Sequence, residues 1–192
     1  MTFQFGIDRL LSDQQRLNQL RAARVGLVAH PTSITQQNQH SIDALMAAGC
    51  NIRRAFGPQH GMRGEKQDNM IESGHTLDAA TGLPLYSLYS KQRRPDKEMF
   101  DLFDVLIIDL FDVGTRVYTF LYTMAYCLEA AAEHGKKVLV LDRPNPVGGK
   151  LVEGNITKQD CYSFVGLYPI PMRHGLTFGE LARLLNNHFG IG

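Results

Sequence analysis

Apolar residues recur along this chain in two rhythms, and the rhythms alternate. Within residues 7–20, Leu10, Leu11, Leu17 and Leu20 fall on one face of a helix. RVGLVAHP (24–31) is a nearly unbroken apolar run, the pattern of a strand buried on both faces. HSIDALMAAG (40–49) predicts a helix closed by Gly49, and NIRRAFGPQHG (51–61) a shorter strand. Residues 62–81 are polar and glycine-punctuated, so a long loop is expected there. LPLYSLY (83–89) predicts a third strand and PDKEMFDLF (95–103) a helix entered at Pro95 and Asp96. DVLIIDL (104–110) predicts a strand, TRVYTFLYTMAYCLEAAAEHG (115–135) a long helix, and KKVLVLDRPNP (136–146) a fifth strand. A glycine- and proline-rich loop of some thirty residues follows. LTFGELARLLNNHF (176–189) predicts a final helix, with Thr177 and Glu180 spaced as a capping box.

Strands alternating with helices imply an α/β fold: a Rossmann-like, open, mostly parallel sheet with helices on both faces. Composition narrows the picture. The 192 residues are 44% hydrophobic and 20% charged, enough for one well-buried domain. A net charge of +1 without long basic tracts argues against a nucleic-acid or membrane surface. No apolar run approaches the ~20 residues needed to span a bilayer, and the first residues lack a signal-peptide pattern, so a cytoplasmic location is expected. Cys50, Cys127 and Cys161 are too few and too scattered for a disulfide framework and read as reduced, buried thiols.

Ligands of open parallel sheets bind beyond the carboxyl ends of the strands. There the chain places His30; then Gln59 and His60, with Arg63 and Glu65 just beyond; then Asp109, Asp112 and Arg116; then Asp142, Arg143 and Asn145. Structural readings compete for each. Asp109 could cap the next segment, and Asp142 beside Arg143 reads as an ion pair fixing the loop. Tyr118, Tyr122 and Tyr126 form a helix stripe, the pattern of core packing. Arg116, in the first turn of the expected helix, opposes the dipole and calls for an anionic partner, either Asp112 or a ligand carboxylate. The chain has no G-x-G-x-x-G after its first strand, no phosphate-binding P-loop and no G-x-S-x-G elbow, and no cofactor is expected. Carboxylates, histidines and arginines in a cleft suit glycoside hydrolysis or metal-assisted hydrolysis. His30, His60, Asp109, Asp112 and His174 would be the ligands in the second case.

The motifs FGPQHGMRGE, LPLYSLYS, DVLIIDLFDVGTRVYTF, VLDRPNPVGG, LVEGN, SFVG and PIPMRHGLTFGELA, in this order, resemble the former DUF1343 family, the NamZ exo-β-N-acetylmuramidases of cell-wall recycling. The likeness runs from about Gly6 to the last residue. It implies release of N-acetylmuramic acid from peptidoglycan fragments, in a cleft between a Rossmann-like N-terminal subdomain and a smaller second one. Members are about twice this long, so residues 1–192 are expected to be the first subdomain alone. That leaves a partner to be expected, either a second copy or a separately encoded second half, over an apolar patch around Tyr86, Phe111, Phe164 and Tyr168. It also leaves room for a non-catalytic sugar- or partner-binding remnant.

The resemblance assigns roles residue by residue. Glu153 is the first candidate for the acid, Asp109 or Asp112 for the second carboxylate, and His60 and His174 for proton carriers or sugar-hydroxyl partners. Arg63, Arg116 and Arg173 are candidates for reading the lactyl carboxylate that separates muramic acid from N-acetylglucosamine. Tyr118, Asp142 and Asn145 join the expected substrate contacts. The family's usual Pro-Glu-His-Gly reads Pro58-Gln59-His60-Gly61 here. An amide cannot shuttle a proton, so Gln59 is expected to orient water or the acetamido group, with Glu65 as a substitute carboxylate.

Overall fold

The structure is a computed structural model that describes residues 3–59, 61–64, 76–89 and 93–192. Its six-stranded sheet has the order β3-β4-β2-β1-β5-β6: Thr76–Leu77 (β3), Pro84–Ser87 (β4), Ile52–Gly57 (β2), Val25–Ala29 (β1), Val105–Asp109 (β5) and Lys137–Val140 (β6). All pairs are parallel except β3 with β4. Alternation along the strands divides the apolar residues between two cores. Val28, Phe56, Leu106 and Ile108 face the helices α4 (Lys97–Phe100), α5 (Phe120–Glu133) and α6 (Phe178–Asn187). Val25, Leu27, Ala55 and Ile107 face α1 (Gly6–Ser12), α2 (Gln14–Ala22) and α3 (Ser41–Ala47). The expected architecture is the observed one.

Four local expectations change. The helix expected over 7–20 is two helices, because Asp13 ends α1 and its side chain caps α2 by accepting from the Arg16 amide (3.0 Å). The stretch expected as loop at 62–81 contributes β3, a two-residue edge too short to carry a period. The long loop after β6 contains an antiparallel ribbon of β7 (Glu153–Ile156) and β8 (Pro171–Arg173). Finally, α5 begins at Phe120, not at 115. Thr115 bridges to Arg173 and the Arg116 amide donates to the Met172 carbonyl (2.8 Å), so this segment joins the ribbon instead of the helix. Thr177 caps α6, with both halves of the expected capping box in place.

Cys50 and Cys127 are buried free thiols, but Cys161 is exposed, beyond the reach of either core. Among the described residues, no helix is long and apolar enough to cross a membrane.

Candidate active site

The strand order reverses between β1 and β5, and the crevice beyond their carboxyl ends is where such sheets place ligands. Asp109 ends β5 at that point, but it is fully buried and faces inward. Arg143 grips it with two parallel bonds of 2.8 Å, Ser41 donates to the same carboxylate, and Ser33 donates to its carbonyl. The remaining reach of Arg143 goes to the Ile34 carbonyl (2.9 Å) and to the face of Phe5 (4.7 Å). This ion pair locks the loops after β1, β5 and β6 together beneath the crevice. The expected partner of Arg143 was Asp142. Asp142 is instead exposed and caps α6, accepting from the Gly179 amide (2.7 Å) and the Thr177 hydroxyl (3.2 Å).

Above this floor, the β5 exit loop meets the ribbon. Asp112 is buried; its Oδ2 accepts from the Gly114 amide (2.6 Å) and from His174 Nε2 (3.0 Å). His174 Nδ1 accepts from the Leu176 amide (3.2 Å), which fixes the proton on Nε2 and occupies both ring nitrogens. His174 is therefore a brace. Asp112 Oδ1 is buried with no partner among the described residues. Gly114, at φ +83°, is required twice over: a Cβ there would lie 2.4 Å from Asn145 Oδ1 and as near Val147. Asn145 itself ties the β6 exit loop to the Leu176 carbonyl (3.0 Å). Tyr118 and His30 both pack against Phe120, with ring centroids at 4.6 and 4.7 Å. Burial, helped by the Asp112 charge, raises the Tyr118 phenol above its ordinary range.

The three arginines expected to read a carboxylate differ sharply. Arg63 binds both Asp43 (2.7 Å) and Asp78 (2.7 Å), and holds the Asp43 carboxyl below its usual range. Arg116 is buried and donates to the carbonyls of Asn155 (2.5 Å) and Ile170 (2.9 Å), anchoring the ribbon. It sits in no helix, so the dipole argument lapses, and neutral carbonyls meet its charge where Asp112 or a ligand carboxylate was expected. Arg173 is on the rim, its side chain 30% exposed, paired with Glu153 (2.6 Å), which is 59% exposed. Glu153 thus stands in an exposed ion pair and not in a desolvated pocket.

The site as described therefore gathers Asp112, Tyr118, Asn145, Glu153, Arg173 and His174, and leaves out Asp109, Asp142 and Arg63. Gln59 sits half-exposed at the exit of β2. Gly57 before it lets the Met62 amide pass where a Cβ would be 2.8 Å away. His60 and Glu65 lie outside the described residues. No three His, Cys, Asp or Glu side chains converge as metal ligands among the described residues. Sequence reading missed His40, whose Nε2 contacts both the His30 carbonyl (3.1 Å) and the Met62 carbonyl (3.2 Å), clipping two rim loops together. Its place before Ser41 at a helix start was the available signal. Of the expected apolar patch, Tyr86, Phe164 and Tyr168 pack half-buried against the core and Phe111 is half-buried, while Leu151 and Val152 just before β7 and Ile156 within it are exposed.

A family model described as exo-beta-N-acetylmuramidase NamZ, N-terminal, matches residues 25–192. The peptidoglycan beta-N-acetylmuramidase NamZ of Bacillus subtilis (strain 168) is 48% identical over 189 residues, covering 98% of this chain and 45% of that protein. Two crystal structures of DUF1343 family proteins from Bacteroides fragilis NCTC 9343 are also similar. One matches with a TM-score of 0.88 at 42% identity, covering 97% of this chain and 46% of its own. The other matches with a TM-score of 0.82 at 34% identity, covering 96% and 47%. The chain thus spans a little under half the length of these relatives. With most of its length matched by the family model and the same sheet in its solved relatives, the chain belongs to the exo-β-N-acetylmuramidase NamZ family.

Proposed function

We propose that this chain forms the muramic-acid-binding wall of an exo-β-N-acetylmuramidase acting on peptidoglycan fragments. The observation that carries the reading is 48% identity, over nearly the whole chain, to a peptidoglycan beta-N-acetylmuramidase. The geometry makes it specific. A muramidase needs a cation for the lactyl carboxylate, and Arg63 is already held by the two carboxylates of Asp43 and Asp78, Arg116 by the carbonyls of Asn155 and Ile170. Arg173 is the one of the three on the rim, and its partner Glu153 is itself on the surface. An exposed ion pair contributes at most about 1 kcal/mol, so a substrate carboxylate can take Glu153's place at little cost. That exchange would seat the sugar and release Glu153 toward the glycosidic oxygen in one event. Gln59, Tyr118 and Asn145 would contact the sugar, with His60 and Glu65 as further candidates. Asp112 is the remaining candidate for the second carboxylate.

A second reading, sugar binding without turnover, is favoured by Gln59, an amide where the resembled motif carries a carboxylic acid. Both readings share the recognition step and divide on hydrolysis. Titrating the chain with N-acetylmuramic acid and with N-acetylglucosamine should give binding of the first only. Arg173→Met should weaken it about ten- to a hundred-fold, the worth of one charge-assisted contact. Equal binding of both sugars, or of neither, would sink the assignment. Turnover of a chromogenic muramide that disappears in Glu153→Gln would select the catalytic reading.

A further inference from the structure

The Glu153–Arg173 pair has an apolar neighbour. Arg173 Nη1 meets Glu153 (2.6 Å), Nη2 donates to the Val147 carbonyl (2.5 Å), and Nε is buried without a partner among the described residues. A carboxylate that takes the place of Glu153 therefore meets Nη1, while the Val147 carbonyl keeps the planar guanidinium from turning away. Val147 is fixed in its own right. Its amide donates to Asn145 Oδ1 (3.0 Å), and the Gly148 amide closes the turn on the Asn145 carbonyl (3.0 Å), with Gly148 at φ +78°. The side chain lies over Gly114, where an added Cβ would come within 2.4 Å of Val147 Cγ2. Held between the loop after β5 and the rim arginine, Val147 is still 45% exposed. Val152 is exposed as well, and its Cγ2 lies beside Gly175. Of the exposed apolar residues described, Val147 is the one whose backbone holds the Arg173 guanidinium.

Given the muramic-acid reading above, on which this rests, the geometry points to Val147 as a specificity-determining residue. Its exposed γ-carbons receive the methyl of the lactyl ether while Arg173 takes the carboxylate. In that ether one carbon bears both groups, so whatever holds the carboxylate brings the methyl alongside. The residue beside the cation then decides whether the methyl meets water or carbon. An arginine alone accepts any acidic ether of the sugar; an apolar contact next to it separates a lactyl group from a smaller acid. One buried carbon is worth about fourfold in affinity, so Val147 tunes the choice among acids that Arg173 makes possible.

The test is a binding titration of the 192-residue chain with three probes. These are N-acetylmuramic acid, N-acetylglucosamine, and the glycolyl ether of N-acetylglucosamine, which keeps the carboxylate and lacks the methyl. The chain should bind the lactyl ether about fourfold more tightly than the glycolyl ether, and both more tightly than N-acetylglucosamine. Val147→Ala should weaken the lactyl ether alone and bring the two acids level, whereas Val147→Ile should keep the preference. Arg173→Met should weaken both acids together. Equal binding of the two acids by the unaltered chain would overturn the role of Val147 and leave that of Arg173 standing. So would a preference that survives Val147→Ala, or an equal weakening of both acids in that variant, which would make the turn a structural support only. If neither acid outbinds N-acetylglucosamine, the muramic-acid reading fails and the role of Val147 fails with it.

Discussion

Asp109–Arg143 and Glu153–Arg173 are the same chemical contact in opposite settings. The first pair is 0% and 1% exposed, bidentate, and bonded on every side to Ser33, Ser41 and Ile34. The second is 59% and 30% exposed and rests on one carboxylate bond, with Arg173 also reaching the Val147 carbonyl (2.5 Å). In water the desolvation cost of such a pair is small and so is its strength; inside the protein both are large. The buried pair therefore cannot exchange partners and acts as structure. The exposed one can exchange, and exchange is what binding requires.

Breaking the buried pair should have the largest effect. Arg143→Ala leaves Asp109 charged and unpaired in the core, a loss of about 3–5 kcal/mol in denaturant unfolding. Replacing both partners together, Asp109→Leu with Arg143→Met, should recover much of it. A double mutant no more stable than the single one would mean that the loops, not the charge, carry the cost. His174→Ala should cost less, about 1–3 kcal/mol, by stripping a partner from the buried Asp112 carboxylate. The same unfolding experiment reads it, and His174→Gln should restore part of the loss by donating in place of Nε2.

A third prediction separates the rim clip from both pairs by pH. Burial, together with the Arg63 charge, holds the His40 imidazole below its ordinary value, although Asp43 nearby and the backbone contacts oppose this. A lowered folded value means that folding favours the neutral ring. Its stabilisation is complete above the unfolded value of about 6.5 and is lost as pH falls from there toward the folded value. Stability should therefore decline between about pH 6.5 and the onset of carboxylate titration near pH 4, and His40→Gln should flatten that window. The smallest effect belongs to the exposed pair: Glu153→Gln should change stability by less than about 1 kcal/mol. A loss as large as that of Arg143→Ala would refute the contrast between the two settings.

How much of this was legible in the residue order depends on range. The strand runs, the capping box at Thr177 and Glu180 and the closing Gly49 are set by neighbours within a turn or two, so periodicity and local chemistry suffice to read them. The ribbon of β7 and β8 was not legible, because its strands are short, mostly exposed and held by Arg116 from forty residues away. The same reason explains the site. Sequence placed Asp109, Asp112, Asp142 and Arg143 at strand exits, which is correct, and it could not say which carboxylate faces the core. Only the packing of the loops after β1, β5 and β6 decided that Arg143 reaches across to Asp109 and past its own neighbour Asp142, which is drawn to the Gly179 amide at the start of α6. Burial is a property of the assembled fold, and it is burial that separates a carboxylate that holds the molecule together from one that is free to exchange partners.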